Sequence, residues 1–144
     1  MSSELHVTVA ARLHREGQRF TAGRRSLVDV LESSGRPLTL PEILGLDTSV
    51  AQSSAYRNLT VLERAKVVRR ISTADEWARF ELAEDLTEHH HHLICGHCGT
   101  VEDFTVDDEL EAAVDAALHR IARLRRFKPE HHRLDLIGTC AGCA

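Results

Sequence analysis

The chain has 144 residues, 42% of them hydrophobic and 28% charged, with a formal net charge of −4 at neutral pH. That composition suits one folded domain or two small ones and excludes wholesale disorder. The start "MSSELHVTVAARLHREG" carries no uninterrupted apolar stretch behind a basic end, and no later window has the length to cross a bilayer, so a cytoplasmic protein with no membrane partner is expected.

Charge is unevenly placed. Residues 1–84 hold twelve Lys/Arg against eleven Asp/Glu, whereas residues 85–144 hold six against eleven. The shift falls where the histidines begin, and it divides an N-terminal unit, 1–84, from a C-terminal unit, 85–144. Cations in the first unit cluster around Arg12, Arg15, Arg19, Arg24 and Arg25, and again around Arg57, Arg64, Lys66, Arg69 and Arg70. Such clusters can form a local phosphate-binding face even on a chain of slightly negative net charge.

Leu5 to Glu16 and Arg24 to Ser33 have helical periodicity, the second helix ending at "SSGRP". A short third helix is expected at "LPEILG", with Pro41 suited to its first turn and Gly45 to its end. The fourth, "AQSSAYRNLTVLERA", sets Ala55, Leu59 and Leu62 on one face and Ser53, Tyr56, Arg57 and Thr60 on the other. "VVRRI" and "ARFEL", separated by "STADEW", read as a two-stranded wing, with Trp77 as a packing residue. This order fits a winged helix-turn-helix, whose last helix enters the DNA major groove. Periodicity alone fits a small helical domain with a solvated polar face equally well.

Beyond the histidines, "TVEDF" reads as a strand. "DDELEAAVDAALHRIARL" reads as an amphipathic helix with Leu110, Val114, Ala117, Leu118 and Ile121 in one stripe, and "HRLDLIGTC" as a returning strand. So small a unit cannot easily cover its own apolar edges, and dimerisation is expected.

Cys95-x-x-Cys98 and Cys140-x-x-Cys143 are separated by the 41 residues from 99 to 139. In a reducing compartment this pairing points to a closed tetrahedral zinc site rather than to disulfides. Ahead of it stands "HHHH", His89 to His92. On an extended strand His89 and His91 face one way and His90 and His92 the other, so the run can serve two metals. Further ligands would come from Glu81, Asp85, Asp103, Glu111, His131 and His132. Mixed nitrogen and oxygen donors imply weaker, exchangeable binding of the kind a sensor needs. His6, His14, His97 and His119 have no partner visible in the sequence and read as surface or satisfied residues.

Three stretches taken in order, "SSAYRNLTVLERAKVVRRI", "HHHHLICGHCGTVEDF" and "HRLDLIGTCAGC", resemble the ferric uptake regulator superfamily of bacterial metal-dependent repressors. The resemblance covers nearly the whole chain. It implies an α+β protein with an N-terminal winged helix-turn-helix DNA-binding domain and a small C-terminal α/β dimerisation domain carrying structural zinc on Cys95, Cys98, Cys140 and Cys143. It implies one metal site on His89, His91, Glu111 and His132, and an interdomain sensory site on Glu81, His90 and His92, with Asp103 as a further candidate. Tyr56 and Arg57, beside Ser53 on the same helix face, would contact DNA, and Arg19 would approach a groove.

Iron- and nickel-type members commonly place a sensory histidine before the third helix, where this chain has "GRPLTLPEI". Zinc-type members use an acid just after the recognition helix and a cysteine before the histidines, where this chain has "KVVRR" and "ELAEDLTE". Glu81, Asp85, Asp103 or a water would have to complete the site. The expected function is a homodimeric, metal-responsive repressor on a pseudo-palindromic double-stranded operator, with no small-molecule substrate. Its exchangeable ion would be Zn2+ or Fe2+, with Mn2+ and Ni2+ as the other first-row candidates. A peroxide-sensing repressor of the same superfamily is the alternative. A zinc hydrolase is disfavoured, since there is no HExxH pair and no nucleophile beside a base.

Overall fold

The computed structural model describes residues 3–73 and 75–144; Ala74, in the expected wing loop, lies outside them. Helix α1 (Ser3–Arg15) turns Leu5, Val9 and Leu13 inward at four-residue spacing. Helix α2 (Ala22–Ser34) begins where the Thr21 side chain accepts a hydrogen bond from the Arg24 amide, and it stops at Gly35, whose φ of 67° favours a residue without a Cβ. Strand β1 (Leu38–Thr39) leads into α3 (Leu40–Leu46) through a capping box. There the Thr39 hydroxyl accepts from the Glu42 amide, and the Glu42 carboxylate accepts from the Thr39 amide.

Helix α4 (Gln52–Arg64) buries Ala55, Leu59 and Leu62 and leaves Ser53, Tyr56 and Arg57 exposed. The chain then turns at Lys66 into β2 (Val68–Ile71), which pairs antiparallel with β3 (Arg79–Leu82). Helices and wing share one core containing Leu13, Leu27, Val28, Leu38, Ile43, Leu59, Leu62 and Phe80. The wing is a three-stranded sheet in the order β1-β3-β2 rather than the expected hairpin, because Leu38 and Thr39 pair with Phe80 and Arg79 on the free edge of β3. Trp77 is 56% exposed, so the packing role expected from the sequence is not the one it has.

A 3₁₀ turn, Glu84–Leu86, joins this unit to β4 (His91–Cys95), β5 (Val101–Phe104), α5 (Asp108–Leu124) and β6 (Asp135–Gly138). Strand β4 is central, antiparallel to β5 and parallel to β6. Asp107 caps α5 by accepting from the Leu110 amide at 2.8 Å, with Asp108, Glu109 and Glu111 in the first turn complementing the helix dipole. Among the described residues of this unit, only Ile94, Cys95, Val101 and Ala122 are buried apolar side chains. Leu110, Leu118, Ile121, Leu124, Phe127, Leu136 and Ile137 face outward.

Contacts between the units include an ion pair and a close approach of two loops. Arg12 of α1 donates to the Lys66 carbonyl at 2.7 Å and to the Asp85 carboxylate of the 3₁₀ turn at 2.5 Å. In the wing loop Asp75, gripped by Arg79, sits directly against Gly99, where an added Cβ would collide with the Asp75 carboxylate. Among the described residues no helix is long and apolar enough to cross a membrane.

Because Leu59 is fully buried where α4 meets the common core, Leu59→Ala should destabilise the N-terminal unit by about 2–5 kcal/mol, read as a lower midpoint in urea denaturation. Leu46→Ala, at an exposed position at the end of α3, should leave that midpoint unchanged.

Candidate metal centres

Three side-chain clusters have potential ligand atoms that all lie within 4.8 Å of one another: Cys95, Cys98, Cys140 and Cys143; His89, His91, Glu111 and His132; and Glu81, His90, His92 and Asp103. Strand β4 builds all three. Its pleat sends successive side chains to opposite faces, and the loop after it carries Cys98.

The cysteines sit in two tight turns, one after β4 and one after β6, brought side by side by the parallel β4/β6 pairing that sets Cys95 opposite Gly138. The Cys95 sulfur accepts from the amides of His97, Cys98 and Cys140 at 3.4–3.5 Å. These bonds pull its thiol down to about 5, whereas hydrogen bonding to the neighbouring Cys140 and Cys98 sulfurs pushes Cys143 up to about 12. Crowded thiols cannot all ionise unless a cation sits among them. All four are free, and the Cys98 and Cys140 sulfurs are 3.7 Å apart, far beyond a disulfide bond. Sulfurs at the corners of a zinc tetrahedron with bonds of about 2.3 Å lie about 3.8 Å apart, so the residues fit that ion.

In the second cluster Glu111, in the first turn of α5, receives three imidazoles. His89 Nε2 and His132 Nε2 are each 2.8 Å from Oε1, and His91 Nε2 is 2.8 Å from Oε2. The contacts from His91, His132 and His89 hold the Glu111 carboxyl at about 2. His91 is 2% exposed, and its Nδ1 has no hydrogen-bond partner. His89 has a second carboxylate, that of Glu84 in the 3₁₀ turn, against its Nδ1. A neutral imidazole can donate to only one of two carboxylates. With Nε2 given to a cation, Nδ1–H donates to Glu84, the usual support for a metal-bound histidine.

In the third cluster Glu81, on β3 of the wing, meets side chains of the C-terminal unit. His90 Nε2 lies 3.0 Å from Glu81 Oε2, and His92 Nε2 lies 3.1 and 3.2 Å from the two carboxylate oxygens. Asp103 faces the same imidazoles at 3.7 and 3.5 Å, being opposite His92 in the β4/β5 register. On its other flank His92 is opposite Asp135 of β6, whose Oδ1 is 3.7 Å from Nδ1. Asp103 Oδ1 and Asp135 Oδ1 are buried without hydrogen-bond partners. Burial pushes the Asp103 carboxyl up; it also opposes ionisation of Glu81, but the His92 hydrogen bond and the Arg69 charge outweigh it and hold Glu81 at about 2. Orphaned carboxylate oxygens beside converging imidazole nitrogens suit a divalent cation with nitrogen and oxygen ligands.

Asp85, one of the candidates to complete this centre, instead pairs with Arg12, and His131 joins neither histidine cluster. His6 bonds Asp29 at 2.6 Å, and His119 lies beside Asp115. Sequence reading missed Glu84 and Arg69. Glu84 belongs to a turn with no sequence signature, whereas the position of Arg69 opposite Glu81 follows from the β2/β3 register. On the outer face of α4, Tyr56 is 52% exposed and its hydroxyl accepts from Arg70 at 3.1 Å. Ser53, Arg57 and Arg19 are exposed, with Arg19 just ahead of α2.

A winged helix and a small three-stranded sheet unit thus meet at a carboxylate–histidine cluster. The family model described as "Ferric uptake regulator family" matches residues 15–137, and the chain belongs to that family. It is 30% identical over 145 residues to the peroxide-responsive repressor PerR of Staphylococcus aureus, covering 97% of this chain and 91% of that protein. It is 29% identical over 138 residues to the peroxide operon regulator of Bacillus subtilis, covering 92% and 88%. The Helicobacter pylori ferric uptake regulator Fur, described as having three functional metal binding sites, superposes with a TM-score of 0.71 at 27% identity, covering 97% of this chain and 91% of that one. All three are described as regulators or repressors.

The depressed Glu81 carboxyl sets a pH dependence. Its ionised form stabilises the fold fully above its ordinary value of 4.5, and that contribution is lost as pH falls from there towards about 2. In protein stripped of exchangeable metal, Glu81→Gln should therefore flatten the fall of urea-denaturation stability over that acid window.

Proposed function

We propose that the protein is a cytoplasmic, homodimeric repressor whose grip on a pseudo-palindromic DNA operator depends on a divalent metal in the Glu81, His90, His92 and Asp103 cluster. The observation that carries this reading is that Glu81 belongs to the wing while the other three residues belong to the C-terminal unit. With a cation bound, wing and sheet share one centre, and their relative angle, hence the spacing of two recognition helices in a dimer, becomes fixed. The Cys95, Cys98, Cys140 and Cys143 site would hold structural zinc. His89, His91, Glu111 and His132 would hold a further ion close to the 3₁₀ turn. Ser53, Tyr56, Arg57 and Arg19 would face the DNA, and the outward apolar side chains of α5 and β6 would face the second subunit.

Binding of the purified protein to operator DNA, selected from genomic fragments, tests the reading at fixed salt, because phosphate contacts make any affinity salt-dependent. Removing exchangeable metal while the cysteine site stays filled should weaken binding, and restoring Zn2+ or Fe2+ should recover it. Equal affinity in both states would remove the sensor role. Arg57→Ala should weaken binding with metal present. Ile121→Glu, which places a charge on the outward stripe of α5, should shift the protein from dimer to monomer in sedimentation and weaken operator binding with it.

A peroxide-responsive repressor is a second reading, supported by thiol-free nitrogen and oxygen ligands suited to Fe2+ and by relatives that are peroxide regulators. On this reading, peroxide treatment of iron-loaded protein adds oxygen to His90 or His92, seen by peptide mass spectrometry, and releases DNA. Unmodified histidines with DNA still bound would leave the metal itself as the signal.

A further inference from the structure

Glu81 is contacted by a cation of the protein itself. In the antiparallel register of β2 and β3, Arg69 stands directly opposite Glu81. Its Nε and Nη2 both lie 2.5 Å from Glu81 Oε1. The same oxygen is 3.1 Å from His92 Nε2, so the guanidinium holds an atom that faces into the imidazole cluster. Glu81 is almost wholly buried and Arg69 is partly exposed, lining the cleft of about 1460 Å³ between the two units. The same cleft is lined by Glu84, Asp108 and Glu130 as well as by Arg12, Arg15 and Lys66. A guanidinium released from Glu81 would therefore have carboxylates within its own cleft.

Charge and geometry work in the same direction. Glu81 and Asp103 bring two carboxylates to the cluster, and Arg69 already offsets one of them. A divalent cation close to that guanidinium is repelled in a site screened from water, and the planar fork of arginine does not relinquish a carboxylate cheaply. Both Glu81 oxygens face the imidazoles, Oε1 towards His92 and Oε2 towards His90 and His92, so neither is turned away from the cluster for a purely orienting arginine to take, and Arg69 occupies one of the two.

Resting on the reading of Glu81, His90, His92 and Asp103 as a metal site, we propose that Arg69 is a built-in competitor for that site, occupying Glu81 in the metal-free protein and raising the concentration of divalent metal needed to fill it. Arg69 pairing and metal binding are antagonistic, so this one side chain sets the threshold of response.

Co2+ titration followed by visible absorbance tests this at fixed pH and salt, on full-length protein with zinc in the cysteine site and His89→Ala with His132→Ala present to silence the other histidine cluster. In that background, Arg69→Gln should tighten Co2+ binding about tenfold or more, equivalent to about 1.4 kcal/mol. Arg69→Lys, which keeps the charge, should stay close to the parent. Thermal melting and zinc content confirm that each variant is folded. Equal or weaker binding by folded Arg69→Gln overturns the proposal and makes Arg69 a positioning residue, and Arg69→Lys as tight as Arg69→Gln overturns it as well. If Arg69→Gln does not fold, the Arg69 Nε–H resonance of the parent decides: it should move when Zn2+ saturates the site, and a fixed resonance overturns the proposal. Glu81→Gln in that same background separates the two readings. It should abolish the Co2+ signal; if it does not, the metal-site reading itself falls.

Discussion

Consecutive residues on a β-strand face opposite sides of the sheet, and in this protein that constraint falls on a run of histidines entering the central strand of a three-stranded sheet. His89 and His91 meet Glu111 of α5 on one side, and His90 and His92 meet Glu81 of the wing on the other. Slipping the strand by one residue would exchange the two sets and leave both centres without their carboxylates. The register is pinned from both edges, since His92 stands opposite Asp103 on β5 and Asp135 on β6. Strand pairing and ligand placement therefore reinforce each other.

The two units solve the problem of cohesion differently. The N-terminal unit is conventional, with α1, α2, α4 and the wing closing over leucines and Phe80. The C-terminal unit buries few apolar side chains of its own and leaves most of its large ones on the outside of α5 and β6. So few buried apolar side chains make a unit of about 60 residues marginal by itself. On the proposed reading, bound metal and a second copy laid against the outward apolar face would supply the missing cohesion and tie folding of this unit to metal supply and to assembly.

The helices were legible because their periodicity is strong and their ends carry standard signals, such as Gly35 after α2 and Pro41 in the first turn of α3, although α3 runs past the expected stop at Gly45 to Leu46. The cysteine spacing and the histidine alternation were legible because both are local rules, and the structure brings those residues into three clusters. Strand β1 escaped notice because two residues carry no period, and the Trp77 expectation failed because an aromatic at a wing tip has no neighbouring sheet to cover it. Glu84 and Asp135 were missed for a common reason. Each approaches its histidine through the path of the main chain in space, which composition and spacing do not encode.

The alternation that divides the histidines recurs one sheet away, at Arg69 and Arg70 of β2. Arg69 turns to Glu81, whereas Arg70 turns to the other face, donating to the Tyr56 hydroxyl and the Glu63 carboxylate of α4 and lying over the Phe80 ring. One peptide bond thus separates a side chain bound to the metal-type cluster from one bound to the proposed recognition helix. On the proposed metal-dependent reading, a change in what Glu81 holds would have a short route to the exposed face of α4, through two adjacent, half-buried residues of β2 that are hydrogen-bonded on opposite sides.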